Sequence, residues 1–181
     1  MNLDLKDITF IIVSYKSKKV IFNCINSLPQ NAKIIVIENS YDKELKKELE
    51  TKYDNIEVIM NENLGMGASN NIGIKKTNTN YVFILNPDVV FNKDTFENLI
   101  LGVKNIDDFS IISPINQDRK LPNYEIIKNY PLNYDDTIEV DSIDGFSMLI
   151  NKKKFENDNY FDENFFLYLE NTDLCLRAKK N

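Results

Sequence analysis

Apolar runs alternate with helix-type segments along the first part of the chain. Four runs predict strands, at residues 8–14, 33–37, 56–60 and 81–85, and the first and last of them have the pattern of buried strands. They are separated or followed by segments that we predict to be helical, at residues 18–28, 42–53, 67–76 and 94–103. This alternation predicts right-handed βαβ crossovers and an α/β fold with a mostly parallel, Rossmann-like sheet flanked by helices.

The rest of the chain is less regular. Residues 116–141 are polar, include Pro122 and Pro131 and have no sustained period, which predicts a long surface connection. Beyond a short strand at 110–113, we expect a strand at 145–150, a short helix at 152–155 and a last segment, 165–179, that mixes aromatic and charged residues. With 181 residues and no visible linker, the sequence predicts one domain.

Polar side chains follow each of the four predicted strands. They are Ser14 and Tyr15, then Glu38 and Asn39, then residues 61–65 with Asn63 and Gly65, and finally Asn86, Pro87 and Asp88. In a parallel sheet these ends lie along one edge, where open α/β proteins bind ligands, so we predict a nucleotide-binding crevice there. The alternative is that these residues only form turns and helix caps, which Asn, Ser and Asp favour.

The segment YVFILNPDVV, residues 81–90, contains the most informative of these clusters. Pro87 has no N–H group for a ladder hydrogen bond, so the strand is expected to end before it. Asp88 then lies on a turn with its carboxylate free to face a cleft. Such a carboxylate can hold a divalent cation, which in turn can hold a diphosphate. The competing interpretation is that Asp88 caps the helix that follows.

Other side chains near this edge suit a nucleoside. Glu38 can accept two hydrogen bonds from the vicinal hydroxyls of a ribose, and Tyr15 can stack on a base. Asn63 and Asn70 can supply amide contacts to base or ribose. Dinucleotide-binding enzymes and P-loop ATPases fit poorly, because the first turn has no glycine and no G-x-x-x-x-G-K-[ST] motif occurs. A nucleotidyltransferase would need a Gly-rich basic loop there, which is also missing.

Composition narrows the function further. The net charge of −6 argues against a nucleic-acid partner, and the lack of histidine excludes a His-based triad or a His metal ligand. Cys24 and Cys175 lie far apart, which predicts buried free thiols in a reducing compartment. Because no signal peptide or membrane-spanning run is visible, we expect a cytoplasmic location.

Five segments in a fixed order resemble a known family. Over about residues 8–177, the chain is similar to family 2 glycosyltransferases of the GT-A fold. The segments that carry the similarity are ITFIIVSY, IVIENSYD, NENLGMGASNNIGIKKT, YVFILNPDV and FDENFFLYLENTDLCLR. NPDV together with the last segment resembles the rhamnosyltransferase-like branch. The resemblance implies a nucleotide-diphosphate-sugar donor bound by residues 1–114 and a glycan or lipid-linked acceptor faced by residues 115–181. It also implies inversion at the anomeric carbon.

The resemblance assigns roles to individual positions. Asp88 matches the metal-binding aspartate of a D-x-D-like motif, with Asn86 in place of the first acid, and implies Mg²⁺ or Mn²⁺ as cofactor. The other matches are Glu38 and Asn39 in the nucleoside-contacting segment, Ser14 and Tyr15 beside the base, and Asp144 and Gly145 near the sugar and acceptor.

The last segment contains the candidate general base. The family pattern is Glu-Asp followed two residues later by another acid, and the Asp of the pair often serves as base. This chain has Asn171 at that position, and an amide cannot accept the proton. Glu170 and Asp173 remain, and we favour Glu170 because it directly precedes the changed position. The alternative for Asp173 is an i,i+4 ion pair with Arg177.

Four aromatic residues and one leucine precede this cluster and have the pattern of a core or of an acceptor-site wall. We expect most of them to pack in the core, and Tyr168 is the candidate for stacking on a sugar. The set comprises Phe161, Phe165, Phe166, Tyr168 and Leu169.

The sequence also departs from the family at its end. The family commonly continues into a segment with a metal-binding His, whereas this chain has none and stops inside a predicted helix. We therefore expect a C-terminal truncation and weakened metal binding. A truncated or inactive nucleotide- or glycan-binding module is the alternative to an enzyme. Peripheral association with the inner face of the membrane is a further alternative, since many such acceptors are lipid-linked.

Overall fold

The computed structural model describes residues 3–116, 118, 120–126 and 137–179. In these parts the strands β1–β8 are Ile8–Ser14, Lys33–Glu38, Ile56–Met60, Tyr81–Leu85, Ile111–Ile112, Tyr124–Glu125, Ser142–Ile143 and Ser147–Asn151. The helices α1–α5 are Ile21–Ser27, Lys43–Lys52, Met66–Lys76, Thr95–Lys104 and Glu170–Ala178. Short 3₁₀ helices cover Leu5–Asp7, Lys152–Lys154 and Glu156–Asp158. Of the predicted surface connection, residues 117, 119 and 127–136 lie outside the described residues.

Six of the strands form one sheet, in the order β3-β2-β1-β4-β8-β5. The strand β1 pairs in parallel with β2 and β4, and β2 pairs in parallel with β3. The strand β8 runs antiparallel to both β4 and β5. The predicted parallel arrangement of the first four strands is therefore confirmed, and β1–β4 all end at the same side of the sheet. We call that side, with the residues that directly follow these strands, the carboxyl edge.

The two faces of the sheet are covered by different helices. Phe10 and Ile12 of β1 belong to a core cluster that includes residues of α1, α2 and α4. Ile11 lies on the opposite face, in a cluster with Ile74 of α3 and Leu174 of α5. All seven residues of β1 are buried, because neighbouring strands lie on both sides and helices cover both faces. Among the described residues no helix is long and apolar enough to cross a membrane.

The second half of the chain differs from the sequence-based expectation in two places. The strands β6 and β7 form a separate antiparallel pair, which was not predicted because two residues are too few for a periodic pattern. The aromatic residues before α5 were expected to pack mostly in the core, and this was wrong. Only Phe161 is fully buried, whereas Phe166, Tyr168 and Leu169 are 56%, 76% and 61% exposed.

Side chains of α2 cover the outer backbone of the edge strand β3. The N–H group of Val58 donates to Glu50 Oε1 at 2.9 Å, and the carbonyl of Val58 accepts from Lys46 Nζ. Lys46 and Glu50 also form an ion pair. This arrangement occupies hydrogen-bonding groups that would otherwise be open to pairing with another strand. Partial burial acts to raise the pKa of Glu50, but the hydrogen bonds from Lys46 and Val58 outweigh it and lower the pKa.

We expect Glu50→Ala to lower the free energy of unfolding by about 1–2 kcal/mol, because it leaves the Val58 N–H without its acceptor. Urea denaturation measures the change, with Glu57→Ala, an exposed carboxylate on the same strand, as the control. Since the pKa of Glu50 is lowered in the fold, its contribution is present above about pH 4.5 and is lost as the pH falls through the folded value. A loss that persisted unchanged at pH 3 would contradict this assignment.

Candidate active site

Hydrogen bonds join the ends of the parallel strands into one continuous rim. Ser14 and Glu38 are paired residues of β1 and β2. Asn39 donates its N–H to the Ser14 carbonyl at 2.8 Å, and Asn61 donates its N–H to the Glu38 carbonyl at 2.9 Å. On the other side of β1, β4 ends at Leu85, one residue before Asn86. The clusters that follow the four strands therefore meet at the carboxyl edge, as the sequence predicts.

Asp88 lies exposed on the turn after β4. The turn is closed by a hydrogen bond from Val89 N to the Asn86 carbonyl at 3.2 Å. The carboxylate of Asp88 has no hydrogen bond or ion pair with any residue that the structure describes. Asp88 does not cap α4, since that helix begins at Thr95 with Asp94 as its N-cap residue. The capping alternative is therefore wrong, and the carboxylate is available to a ligand.

The buried thiol of Cys24 contacts the backbone of this turn. Cys24 Sγ of α1 contacts the Asn86 carbonyl at 3.6 Å and can donate a weak hydrogen bond to it. Burial, with a smaller contribution from the negative charge of Asp88, raises the pKa of Cys24 to about 12. The group is thus a protonated donor at neutral pH and not a nucleophile. Cys175 is also buried and free, which confirms the prediction for both cysteines.

Glu38 and Asn39 make hydrogen bonds to other residues of the carboxyl edge. Glu38 is fully buried, and its carboxylate accepts hydrogen bonds from the N–H of Ser40, at 2.8 Å, and from the Ser40 hydroxyl. The side chain folds back onto its own turn because the partner lies only two residues away. The amide of Asn39 donates to Ser69 Oγ of α3 at 2.8 Å and accepts from Asn61. The two residues that were predicted to contact the nucleoside therefore shape the edge in this structure.

Four other predicted residues do reach the surface around this edge. Tyr15 is 49% exposed, with Lys16 Nζ 5.2 Å from the centre of its ring. Asn63 is exposed, and its side-chain oxygen accepts from Gly65 N at 3.3 Å. Asp144 and Tyr168 are exposed as well. These side chains can meet a ligand without a change in the fold.

Unsatisfied polar atoms concentrate at the same edge. Among the described residues, five buried side-chain atoms have no hydrogen-bond partner, and each belongs to an element that begins or ends at or beside the carboxyl edge. They are Ser14 Oγ, Asn70 Oδ1, Asn86 Oδ1, Ser147 Oγ and Glu170 Oε2. A buried polar atom without a partner costs about 1–3 kcal/mol, so such atoms need an explanation in a folded protein.

Ser147 is the one member of this group that the sequence analysis missed. It is 1% exposed at the start of β8 and pairs with Leu85, the last residue of β4. The sequence signal for Ser147 was a single hydroxyl residue inside the apolar run GFSMLI. Because this run lies far in sequence from the other polar clusters, the sequence did not place Ser147 at the carboxyl edge.

The two candidate bases have different surroundings. Glu170 is the first residue of α5 and is buried, with Oε2 unpartnered. Asp173 accepts from Arg177 Nε at 2.8 Å, and Arg177 also donates to the carbonyls of Asn159 and Tyr160. The ion-pair alternative for Asp173 is thus observed. Of the two carboxylates, Glu170 is the one with a buried oxygen that has no partner among the described residues.

The loop after β3 is locked to the segment that precedes Glu170. Met66 N donates to the Phe166 carbonyl at 3.0 Å. Gly65 has a φ of +89°, and a Cβ atom there would lie 2.1 Å from the same carbonyl oxygen. Only glycine fits this position. Between Phe166 and α5, Tyr168 and Leu169 adopt left-handed φ values of 67° and 72°. The exposed apolar side chains therefore belong to a constrained turn beside the candidate base.

Two curated relatives are similar to nearly the whole chain. The low-salt glycan biosynthesis hexosyltransferase Agl10 of Haloferax volcanii is 30% identical over 195 residues, covering 97% of this chain and 62% of its own length. The rhamnosyltransferase WbbL of Escherichia coli K12 is 29% identical over 196 residues, covering 88% of this chain and 70% of its own length. The chain thus spans less than two thirds of the Haloferax protein.

Solved structures share the fold. The crystal structure of S. aureus TarS 1–349 has a TM-score of 0.67 at 19% identity, covering 94% of this chain and 54% of that one. The mannosyltransferase PcManGT of Pyrobaculum calidifontis, in complex with GDP-Man and Mn²⁺, has a TM-score of 0.65 at 14% identity, covering 87% and 48%. The predicted GT-A fold is thereby confirmed. The profile of glycosyl transferase family 2 matches residues 9–173, which contain all the elements of the carboxyl edge described above, and the chain therefore belongs to this family.

Proposed function

We propose that the chain is the donor-binding and catalytic part of an inverting glycosyltransferase. It would move a sugar from a nucleotide-diphosphate-sugar to a hydroxyl of a glycan or lipid-linked glycan. The observation that carries the proposal is the carboxyl edge itself. There, five buried polar atoms lack partners and an exposed, unpaired Asp88 lies on the turn beside them. A polar, charged ligand at this edge would give such groups their hydrogen bonds.

The donor side is assigned to residues at the ends of the parallel strands. Tyr15 and Asn63 are exposed and suit a base or ribose, whereas the unpartnered atoms of Ser14, Asn70 and Asn86 lie deeper. Gly65 lets the loop after β3 approach the opposite wall. Glu38 and Asn39 would act by holding the turns of this edge in place.

Asp88 fits a divalent cation of the Mg²⁺ or Mn²⁺ type. Such cations are commonly bound by one or two carboxylates together with substrate phosphates, so a single unpaired carboxylate is an adequate protein ligand. Among the described residues there is no cluster of three or more His, Cys, Asp or Glu side chains, so substrate phosphates would have to complete the coordination at Asp88. The cation would supply positive charge to the departing nucleoside diphosphate.

Glu170 is the proposed general base. The acceptor oxygen forms a bond to the anomeric carbon, its proton passes to the Glu170 carboxylate, and the bond from that carbon to the diphosphate oxygen breaks. Attack from the side opposite the leaving group inverts the configuration. Asp144, Gly145 and Tyr168 are proposed to lie on the acceptor side, where the exposed ring of Tyr168 suits stacking on a sugar.

Calorimetry with UDP, dTDP and GDP tests the proposal. We expect at least one of them to bind, and to bind more tightly when Mn²⁺ is added. The name of the Escherichia coli relative makes a nucleotide-activated rhamnose the first sugar donor to try. Absence of binding for all three nucleotides, with and without Mn²⁺, would overturn the proposed function.

A binding module without turnover is the second candidate. Asn171 in place of an acid favours it. Nucleotide binding together with no transfer or donor hydrolysis, for any donor, would support the module over the enzyme.

For the enzyme we propose a cytoplasmic location with peripheral association at the inner face of the membrane.

A further inference from the structure

The first turn of α5 packs against two glycines, one in α3 and one in the turn between β7 and β8. A Cβ atom on Gly67 of α3 would lie 3.5 Å from Glu170 Cβ. A Cβ atom on Gly145, in the turn between β7 and β8, would lie 3.2 Å from Asn171 Cβ. Glu170 and Asn171 are consecutive, so they project about 100° apart around the helix. The helix start is therefore held between α3 and the β7–β8 turn.

A side-chain hydrogen bond holds the first turn of α5 against β7. The side-chain amide of Asn171 donates to the Ile143 carbonyl of β7 at 2.8 Å. One turn further on, Leu174 is fully buried in the cluster that contains Ile74 of α3. Near the other end of the helix, Arg177 donates to the carbonyls of Asn159 and Tyr160. Asn171 is therefore the polar anchor nearest to Glu170 among the contacts that fix the rotation of α5 about its axis. The rotation decides where the neighbouring carboxylate of Glu170 lies.

We propose that Asn171 is a positioning residue for the transfer reaction, and that its amide donor holds Glu170 in the place from which it accepts the acceptor proton. This inference rests on the proposed role of Glu170 as the base. It assigns to Asn171 a function that an acid cannot perform, since a carboxylate has no hydrogen to offer the Ile143 carbonyl. An aspartate would place a negative charge against that oxygen and beside Glu170.

The isosteric change Asn171→Asp gives the sharpest test. It keeps the shape of the side chain, replaces the N–H donor by an oxygen, and adds the negative charge of the acid that the family pattern has at this position. We expect kcat to fall at least about 10-fold, because small displacements of a catalytic group cost up to about 100-fold. The donor KM should stay within about 2-fold of the wild-type value, since the donor is assigned to the strand ends. Asn171→Gln, which retains an amide donor, should keep more turnover than Asn171→Asp.

Ile150→Val is the matched control for stability. Ile150 is fully buried in the same core cluster as Leu174 but does not belong to α5, and this change costs about 0.5–1.5 kcal/mol. Its kcat should equal that of the wild type at temperatures below the unfolding transition. Turnover of Asn171→Asp at or above the wild-type level would overturn the proposal. Equal losses of kcat in Asn171→Ala and Ile150→Val would also overturn it.

A second measurement does not depend on turnover. The ¹³C resonance of the Glu170 carboxyl should move in Asn171→Ala and stay in place in Ile150→Val. If no donor reacts with the wild-type protein, the proposed function fails while this comparison still decides whether Asn171 positions Glu170. An unmoved resonance in Asn171→Ala would refute the geometric basis of the inference.

Discussion

Glu170→Gln is expected to lower kcat by about 10²–10⁴-fold, the range that a positioned general base contributes. The amide has nearly the same shape as the carboxylate but cannot accept the proton of the acceptor hydroxyl. Nucleotide affinity should be unchanged, because the donor is assigned to the ends of the parallel strands. Steady-state transfer assays measure the first quantity, and calorimetry measures the second.

Asp173→Asn is the control for this prediction. Asp173 lies one helical turn from Glu170 and already pairs with Arg177, so its removal should cost a few tenths of a kcal/mol in stability. We expect its kcat to remain within a few-fold of the wild type. Should Asp173→Asn abolish turnover while Glu170→Gln leaves it intact, the assignment of the base would have to be reversed.

Asp88→Ala is expected to remove the dependence of nucleotide binding on Mn²⁺. The affinity for a nucleoside diphosphate in the presence of Mn²⁺ should fall at least about 100-fold. Mutation of residues that only hydrogen-bond to a metal ligand already lowers metal affinity or activity by about 10–100-fold, and Asp88 is proposed as a ligand itself. Without metal, the wild type and the variant should bind the nucleotide about equally. Calorimetric titration of both proteins, with Mn²⁺ and after chelation, measures these four affinities.

Asp94→Ala provides a charge-matched comparison for Asp88→Ala. Asp94 is also exposed and lies at the start of α4, and its side chain makes no capping hydrogen bond. Its loss should leave nucleotide affinity unchanged with and without metal. Equal losses in both variants would indicate a general effect of negative charge and would exclude Asp88 as a specific ligand.

The sequence alone determined the architecture of the first half of the chain, residues 1–114. The predicted limits of β1, β3 and β4 agree with the structure to the residue. These strands are short, mostly apolar runs bounded by polar residues, so the local pattern contains nearly all the information about them. The position of Asp88 at the carboxyl edge could also be predicted from the sequence, because a parallel sheet brings the ends of its strands together.

The tertiary structure decided which side chains are free to act. Glu38 accepts hydrogen bonds from Ser40, and Asp173 forms the pair with Arg177 that the sequence offered as an alternative. Among the described residues, Glu170 instead keeps a buried oxygen without a partner. Asn171 is tied to a carbonyl 28 residues earlier, and Ser147 meets the end of β4 from more than 60 residues away. Such contacts depend on long-range packing, which no local pattern encodes. The sequence therefore gives the residue types around the edge, and the fold decides which of them keep their polar atoms available.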